Sequence, residues 1–178
     1  MKKKIQLWEH AEDILSALQK GVLLTTKAGE QVNTMTVSWG MLGIEWAKPV
    51  FTVFVRENRF TRSLLEENGE FTISIPYGAF DRKILGICGT KSGRDTDKIK
   101  EAGLTLTEGE VISVPAIREL PLTLECKVIY KQKQDPAAIT AENNRTFYPR
   151  DVDGSFHSAN RDYHTAYYGE IVAAYLIE

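Results

Sequence analysis

Along residues 31–39 apolar and polar positions alternate, with Met35, Val37 and Trp39 on one side and Thr34, Thr36 and Ser38 on the other. That period of two predicts a β-strand. Residues 49–55 form an almost unbroken apolar run, Pro-Val-Phe-Thr-Val-Phe-Val, which predicts a strand buried on both faces. Upstream, Ile14, Leu15 and Leu18 share one face of a helix over 9–20 that stops before Gly21. Residues 21–27 predict a strand, turned at Ala28-Gly29-Glu30 into the alternating one. Residues 40–48 read as a loop. Residues 70–76 alternate Phe71, Ile73 and Ile75 against Thr72 and Ser74, a half-buried strand stopped by Pro76. A helix over 80–87 sets Phe80, Ile84 and Ile87 on one face, and a short helix over 97–102 ends at Gly103. The longest alternation, 121–130, turns Leu122, Leu124, Cys126, Val128 and Tyr130 inward, and residues 166–177 close the chain as a strand. Between these two, residues 132–163 are polar and broken by Pro136, Pro149 and Gly154, long enough for a functional loop or an interface arm. Many strands, few short helices and no strand–helix–strand alternation exclude a doubly wound sheet. The expectation is a mainly β chain, an antiparallel barrel with short helices, in one domain over 1–178.

The apolar strand ends in charge. Arg56, Arg59 and Arg62 fall where a short helix starts within 58–61, with Leu64 and Leu65 inside and Asn68-Gly69 as its stop. Cations oppose the dipole at a helix start, and an anion bound there reverses that penalty. A solvated arginine face is the plain alternative; the neighbouring hydroxyls of Thr34, Thr36 and Ser38 favour an extended, phosphate-bearing ligand. Residues 88–95, Cys-Gly-Thr-Lys-Ser-Gly-Arg-Asp, lack the phosphate-loop spacing. Their backbone N–H groups with Lys91, Ser92 and Arg94 can form an anion-binding nest, or a simple connection between helices. Asp97 suits the N-cap of the next helix, and Trp39 is assigned to the core.

Composition narrows the classes. The 178 residues are 43% hydrophobic and 26% charged with net charge −2, which gives no case for nucleic acid or an anionic membrane as partner. No apolar run approaches 18 residues, so no transmembrane helix is expected, and Met1-Lys-Lys-Lys leads into no signal-peptide core; cytoplasmic location is the default expectation. Cys88 and Cys126 are isolated from each other, and His10, His157 and His164 show no ligand spacing, so neither a disulfide framework nor a metal site is expected.

Four segments in order, Asn33-Thr-Met-Thr-Val-Ser-Trp-Gly40, Trp46-x-x-Pro49, Val55-Arg-x-x-Arg59-x-Thr61 and Cys88-Gly-Thr-Lys-Ser-Gly-Arg-Asp-x-Asp-Lys98, resemble the flavin reductase-like family in its flavoredoxin branch. The resemblance implies an FMN-binding split β-barrel, a homodimer with flavin near the subunit boundary, and Asn33, Thr34, Met35, Thr36, Ser38, Arg56, Asn58, Arg59, Thr61, Cys88, Gly89, Lys91, Ser92 and Lys98 as cofactor contacts. His164 takes a catalytic role on the nicotinamide side, although Tyr163 stands where many such proteins have an aspartate. FMN is preferred over FAD because the arginine turn suits a terminal phosphate. The implied activity is an oxidoreductase passing reducing equivalents from NAD(P)H, or from an electron-transfer protein, through flavin to an acceptor. A non-catalytic module that stores or senses FMN is the alternative, and an oxidase of a phosphorylated vitamin is a third. Residues 132–163, with Phe147, Tyr148 and Phe156, suit the cover of a partner subunit, and Tyr167 and Tyr168 the closing strand or that interface.

Overall fold

The computed structural model describes residues 1–154 and 160–178; Phe156 and His157 lie outside the described residues. In chain order the elements are β1 (Lys2–Lys4), α1 (Ala11–Lys20), β2 (Val22–Ala28), β3 (Gln31–Val37), β4 (Gly40–Glu45), β5 (Lys48–Arg56), α2 (Phe60–Asn68), β6 (Glu70–Ile75), α3 (Lys83–Thr90), α4 (Lys98–Glu101), β7 (Leu106–Thr107), β8 (Ala116–Ile117), β9 (Leu122–Lys133), α5 (Ala141–Phe147) and β10 (His164–Ile177). Seven strands pair antiparallel in the order β3-β2-β6-β9-β10-β5-β4, with β1 added to β10. The two edge strands, β3 and β4, are consecutive in sequence and joined by Ser38 and Trp39 alone. The sheet therefore curls until its edges meet at that corner without a ladder between them, an antiparallel split barrel with short helices.

Period-two patterning fills the barrel. Phe51, Val53, Val55, Phe71, Ile73, Leu124, Cys126 and Tyr167 meet inside it with Ile14 and Leu18 of α1. Burial of a large apolar side chain is worth roughly 1.5–3 kcal/mol, so this cluster is what holds the strands in register. Leu15, expected beside Ile14, is exposed instead, because the buried stripe of α1 is only Ile14 and Leu18 wide. At Gly169 of β10 a Cβ would stand 2.4 Å from Phe71 Cζ and 2.8 Å from Cys126 Cβ. Only glycine lets the Phe71 ring cross the barrel at that point.

Several expectations change. Residues 40–48 form the strand β4 and the start of β5, not a loop, and the hairpin turns at Trp46 and Ala47, both with positive φ (50° and 57°). Positive φ at both central residues is what a two-residue hairpin needs to match strand twist, but without Asn or Gly the sequence does not announce it. Strand β6 is buried on both faces. Thr72 donates to Pro115 O (2.8 Å) and Ser74 accepts from Ile117 N (3.1 Å), because residues 108–117 fold over that side. Glu125, fully buried on β9, pins the same segment by accepting N–H bonds from Val111 (2.7 Å) and Ile112 (3.1 Å) and the Tyr175 hydroxyl (2.8 Å). Helix α3 lies three residues later than the 80–87 expected, so Cys88 and Gly89 belong to its last turn and the loop starts at Lys91. Tyr130 is exposed beyond the barrel end and packs on Trp46 and Tyr168. The 132–163 stretch carries a 3₁₀ turn and α5.

Candidate functional site

Two cavities adjoin at the corner where β3 meets β4, sharing Met35, Arg59 and Gly89 as walls. The larger, about 250 Å³, is enclosed by residues 35–39 with Phe54, Arg56 and His164. The smaller, about 20 Å³, lies among Asn33, Asn58, Phe60, Thr61, Cys88, Lys91, Ser92, Gly93 and Lys98. Because β3 ends the sheet, the backbone N–H and C=O groups on its outer side have no strand partner, and such edges are ready-made hydrogen-bonding rails.

The smaller cavity is cationic. Lys98 is only 4% exposed. Asp97 starts its helix by accepting from Lys100 N (3.1 Å), which aims the next side chain inward, where Lys98 Nζ donates to Cys88 O (3.2 Å). Among the described residues the ionisable groups that bear on it are Cys88 and Arg59, with no carboxylate, and burial first, then Arg59, pushes its pKa down to about 8. Burial likewise pushes the Cys88 thiol up to about 11, so that sulfur is an uncharged wall rather than a nucleophile. Arg59 precedes α2 in an extended conformation, and the helix start has no side-chain cap. Arginine is a poor N-cap; Arg62 N bonds back to Arg59 O (3.0 Å), and the N–H groups of Phe60 and Thr61 have no acceptor within the helix. Asn33 Nδ2 donates to Thr61 Oγ1 (2.7 Å), tying β3 to α2 across the cavity. Gly93 passes so close that a Cβ there would meet Asn33 Oδ1 at 2.1 Å.

The larger cavity has aromatic walls beside the Arg56 and Arg59 guanidinium groups. Trp39 is 38% exposed and lies against His164, with ring centroids 5.0 Å apart, and edge-on to Phe147 at 5.1 Å. This corrects its assignment to the core: β3 ends at Val37, so the alternation no longer governs residue 39. His164 starts β10, paired to Arg56, and its Nδ1 lies 2.9 Å from the Tyr148 hydroxyl. Burial, then the charges of Arg56 and Arg59, pushes its pKa down to about 3, so the imidazole is neutral.

Of the residues proposed from sequence, Met35, Arg59 and Gly89 line both cavities, Thr36, Ser38, Arg56 and His164 the larger, and Asn33, Asn58, Thr61, Cys88, Lys91, Ser92 and Lys98 the smaller. Thr34 lines neither. Its hydroxyl is fully buried and bonded to Thr25 Oγ1 (3.1 Å) and Leu24 O (3.3 Å). Thr36 spends its hydroxyl hydrogen on Leu85 O (2.7 Å). The Thr34 and Thr36 hydroxyls are thus committed to β2 and α3, while Asn33 and Met35 line the smaller cavity and residues 35–39 together line the larger. Arg56 directs three N–H bonds at carbonyls of Phe147 (3.0 Å), Asn160 (3.1 Å) and Asp162 (2.6 Å), which ties these three residues to the end of β5. Lys91 is exposed and paired with Glu101. Val37, Trp39, Phe54, Phe60 and Gly93 were not expected as walls; Val37, Trp39 and Gly93 had a signal, since they lie within the segments that carry the resemblance.

A family model described as "Flavin reductase like domain" matches residues 16–178. An uncharacterised protein of Archaeoglobus fulgidus is 32% identical over 100 residues, which cover 56% of this chain and 55% of that protein. The chain thus spans little more than half the length of the curated relatives it matches. A flavoredoxin from Methanosarcina acetivorans superposes with TM-score 0.64 and 25% identity over 89% of this chain and 68% of that one. An FMN-binding domain of a flavin reductases-like enzyme from Shewanella baltica gives 0.66 and 20%, over 99% and 77%.

Proposed function

The chain belongs to the flavin reductase like family, and on that premise we propose that it is an FMN-binding oxidoreductase domain. The observation that carries the reading is Lys98, a buried ammonium without a carboxylate partner among the described residues, set in a polar cavity beside one with aromatic walls. A buried cation needs an anion, and a phosphate linked to a planar ring supplies one with the right second half. Lys98, Arg59, Ser92 and Thr61 would hold the phosphate. The edge backbone of residues 35–39 with Gly89 would hold the ring, and its solvent cover is Trp39 and His164. FMN, when bound, supplies the hydride and electron chemistry that the side chains lack. The protein's share is to bind, to orient and to exclude water. Neutral His164 adds no further charge to a cavity that already carries Arg56 and Arg59 on its walls.

The electron donor is proposed as NAD(P)H or a protein, and the chain is proposed to act as a homodimer. Anaerobic addition of NADH or NADPH to the FMN-loaded protein tests the activity. Bleaching of the flavin absorbance at catalytic rates is expected; a yellow protein that neither nucleotide bleaches is a storage or sensing module or takes electrons from a protein.

A further inference from the structure

His164 is gripped by one residue at two points. Gln134 N donates to His164 O (3.0 Å), and His164 N donates to Gln134 Oε1 (3.1 Å). A backbone N–H can only donate, so the Gln134 atom facing it is the oxygen, and the amide cannot be flipped. The Tyr148 hydroxyl lies 2.7 Å from that same oxygen and 2.9 Å from His164 Nδ1. It has one hydrogen. Aiming it at Nδ1 would press two oxygen lone pairs together at 2.7 Å, so the hydrogen goes to Gln134. Tyr148 then offers Nδ1 only a lone pair, and Nδ1 must carry the ring proton.

We propose that Gln134, acting through Tyr148, is a positioning residue that holds His164 as the Nδ1–H tautomer and leaves Nε2 as a bare acceptor on the wall of the larger cavity. This deepens the reading of that cavity as the ring site. His164 accepts a hydrogen bond from an N–H or O–H of whatever lies there, and at Nε2 it has no proton to give. The neutral state is supported by burial and by Arg56 and Arg59, which oppose a second ring proton.

Long-range ¹⁵N–¹H correlation spectra of the full chain labelled in histidine read the tautomer directly, with and without FMN. His10, His157 and His164 are told apart by the signal lost in His164→Gln. The expected wild-type spectrum at neutral pH has a protonated Nδ1 and an unprotonated Nε2 for His164. Gln134→Leu frees the Tyr148 hydrogen to turn to Nδ1 and should switch His164 to the Nε2–H form; Gln134→Glu, which still accepts both bonds, should keep the wild-type pattern. A wild-type His164 with its proton on Nε2, an imidazolium at pH 7, or an unswitched Gln134→Leu would overturn the proposal. The wild-type spectrum decides even if the leucine variant does not fold. Because it is read without flavin, its outcome is separate from whether FMN binds.

Discussion

Lys98 couples the site to pH. Its pKa in the fold, about 8, lies below its ordinary 10.5. Between those values the unfolded chain binds more protons than the folded one, so this group makes the ligand-free protein more stable as pH rises from about 8 to 10.5. A bound phosphate favours the ammonium and raises the pKa again. FMN binding near pH 9 should therefore take up a proton that riboflavin binding does not. Calorimetric titration in two buffers of different ionisation enthalpy checks this, and equal proton uptake for both ligands would place the phosphate away from Lys98. At Arg59, replacement by alanine removes a charge-assisted hydrogen bond worth roughly 1.5–3 kcal/mol, so FMN affinity should fall on the order of tenfold to a hundredfold. Riboflavin affinity should barely change. Equal weakening of the two ligands in a fluorescence titration would make Arg59 structural. The sequence showed both residues through their motifs and neighbours, since charge at a strand end and at a capped helix start is local. It did not show Tyr148 and Gln134, which meet His164 across 16 and 30 residues without any local pattern.

At the scale of elements, β3 shows what alternation can and cannot tell. Its alternation of Met35 and Val37 against Thr34 and Thr36 holds to the end of the strand at Val37, but not on to Ser38 and Trp39. Both faces are covered, however, and a period of two does not say which cover is hollow. The hydroxyls of Thr34 and Thr36 are bonded to Thr25 of β2 and to Leu85 of α3, and the smaller cavity lies against Asn33 and Met35 instead. Strand β4 was missed because its turn uses Trp46 and Ala47 rather than the usual turn residues; β6 was expected as a strand, but only half-buried, because the cover of its second face, residues 108–117, is irregular. The barrel core was plain from Phe51 to Cys126, and the glycine of β10 has a clear consequence. Gly169→Ala drives a methyl into the Phe71 ring and Cys126. Overpacking of this kind typically costs about 1–3 kcal/mol, several degrees in a chain of this size. A thermal melt unchanged from wild type would mean the two strands part easily there, against the packing described.

For the whole molecule, the split barrel leaves its β4 edge apolar and exposed. Met41, Ile44 and Trp46 stand on it, and Tyr130 packs on Trp46 from β9. An unpaired strand edge with such side chains is a surface that proteins cover, and the homodimer we propose covers it with a second copy. Light scattering at micromolar concentration should then give twice the 20.0 kDa of one chain; a mass near 20.0 kDa would leave the edge to another partner. All of this rests on the cleft at the barrel corner being a flavin site. The direct measurement is a titration of FMN into the purified, flavin-free protein, followed by absorbance and flavin fluorescence. A flavin site predicts saturation at one FMN per chain with a perturbed, structured absorbance band. A protein that stays colourless and leaves the fluorescence of added FMN unchanged would contradict it.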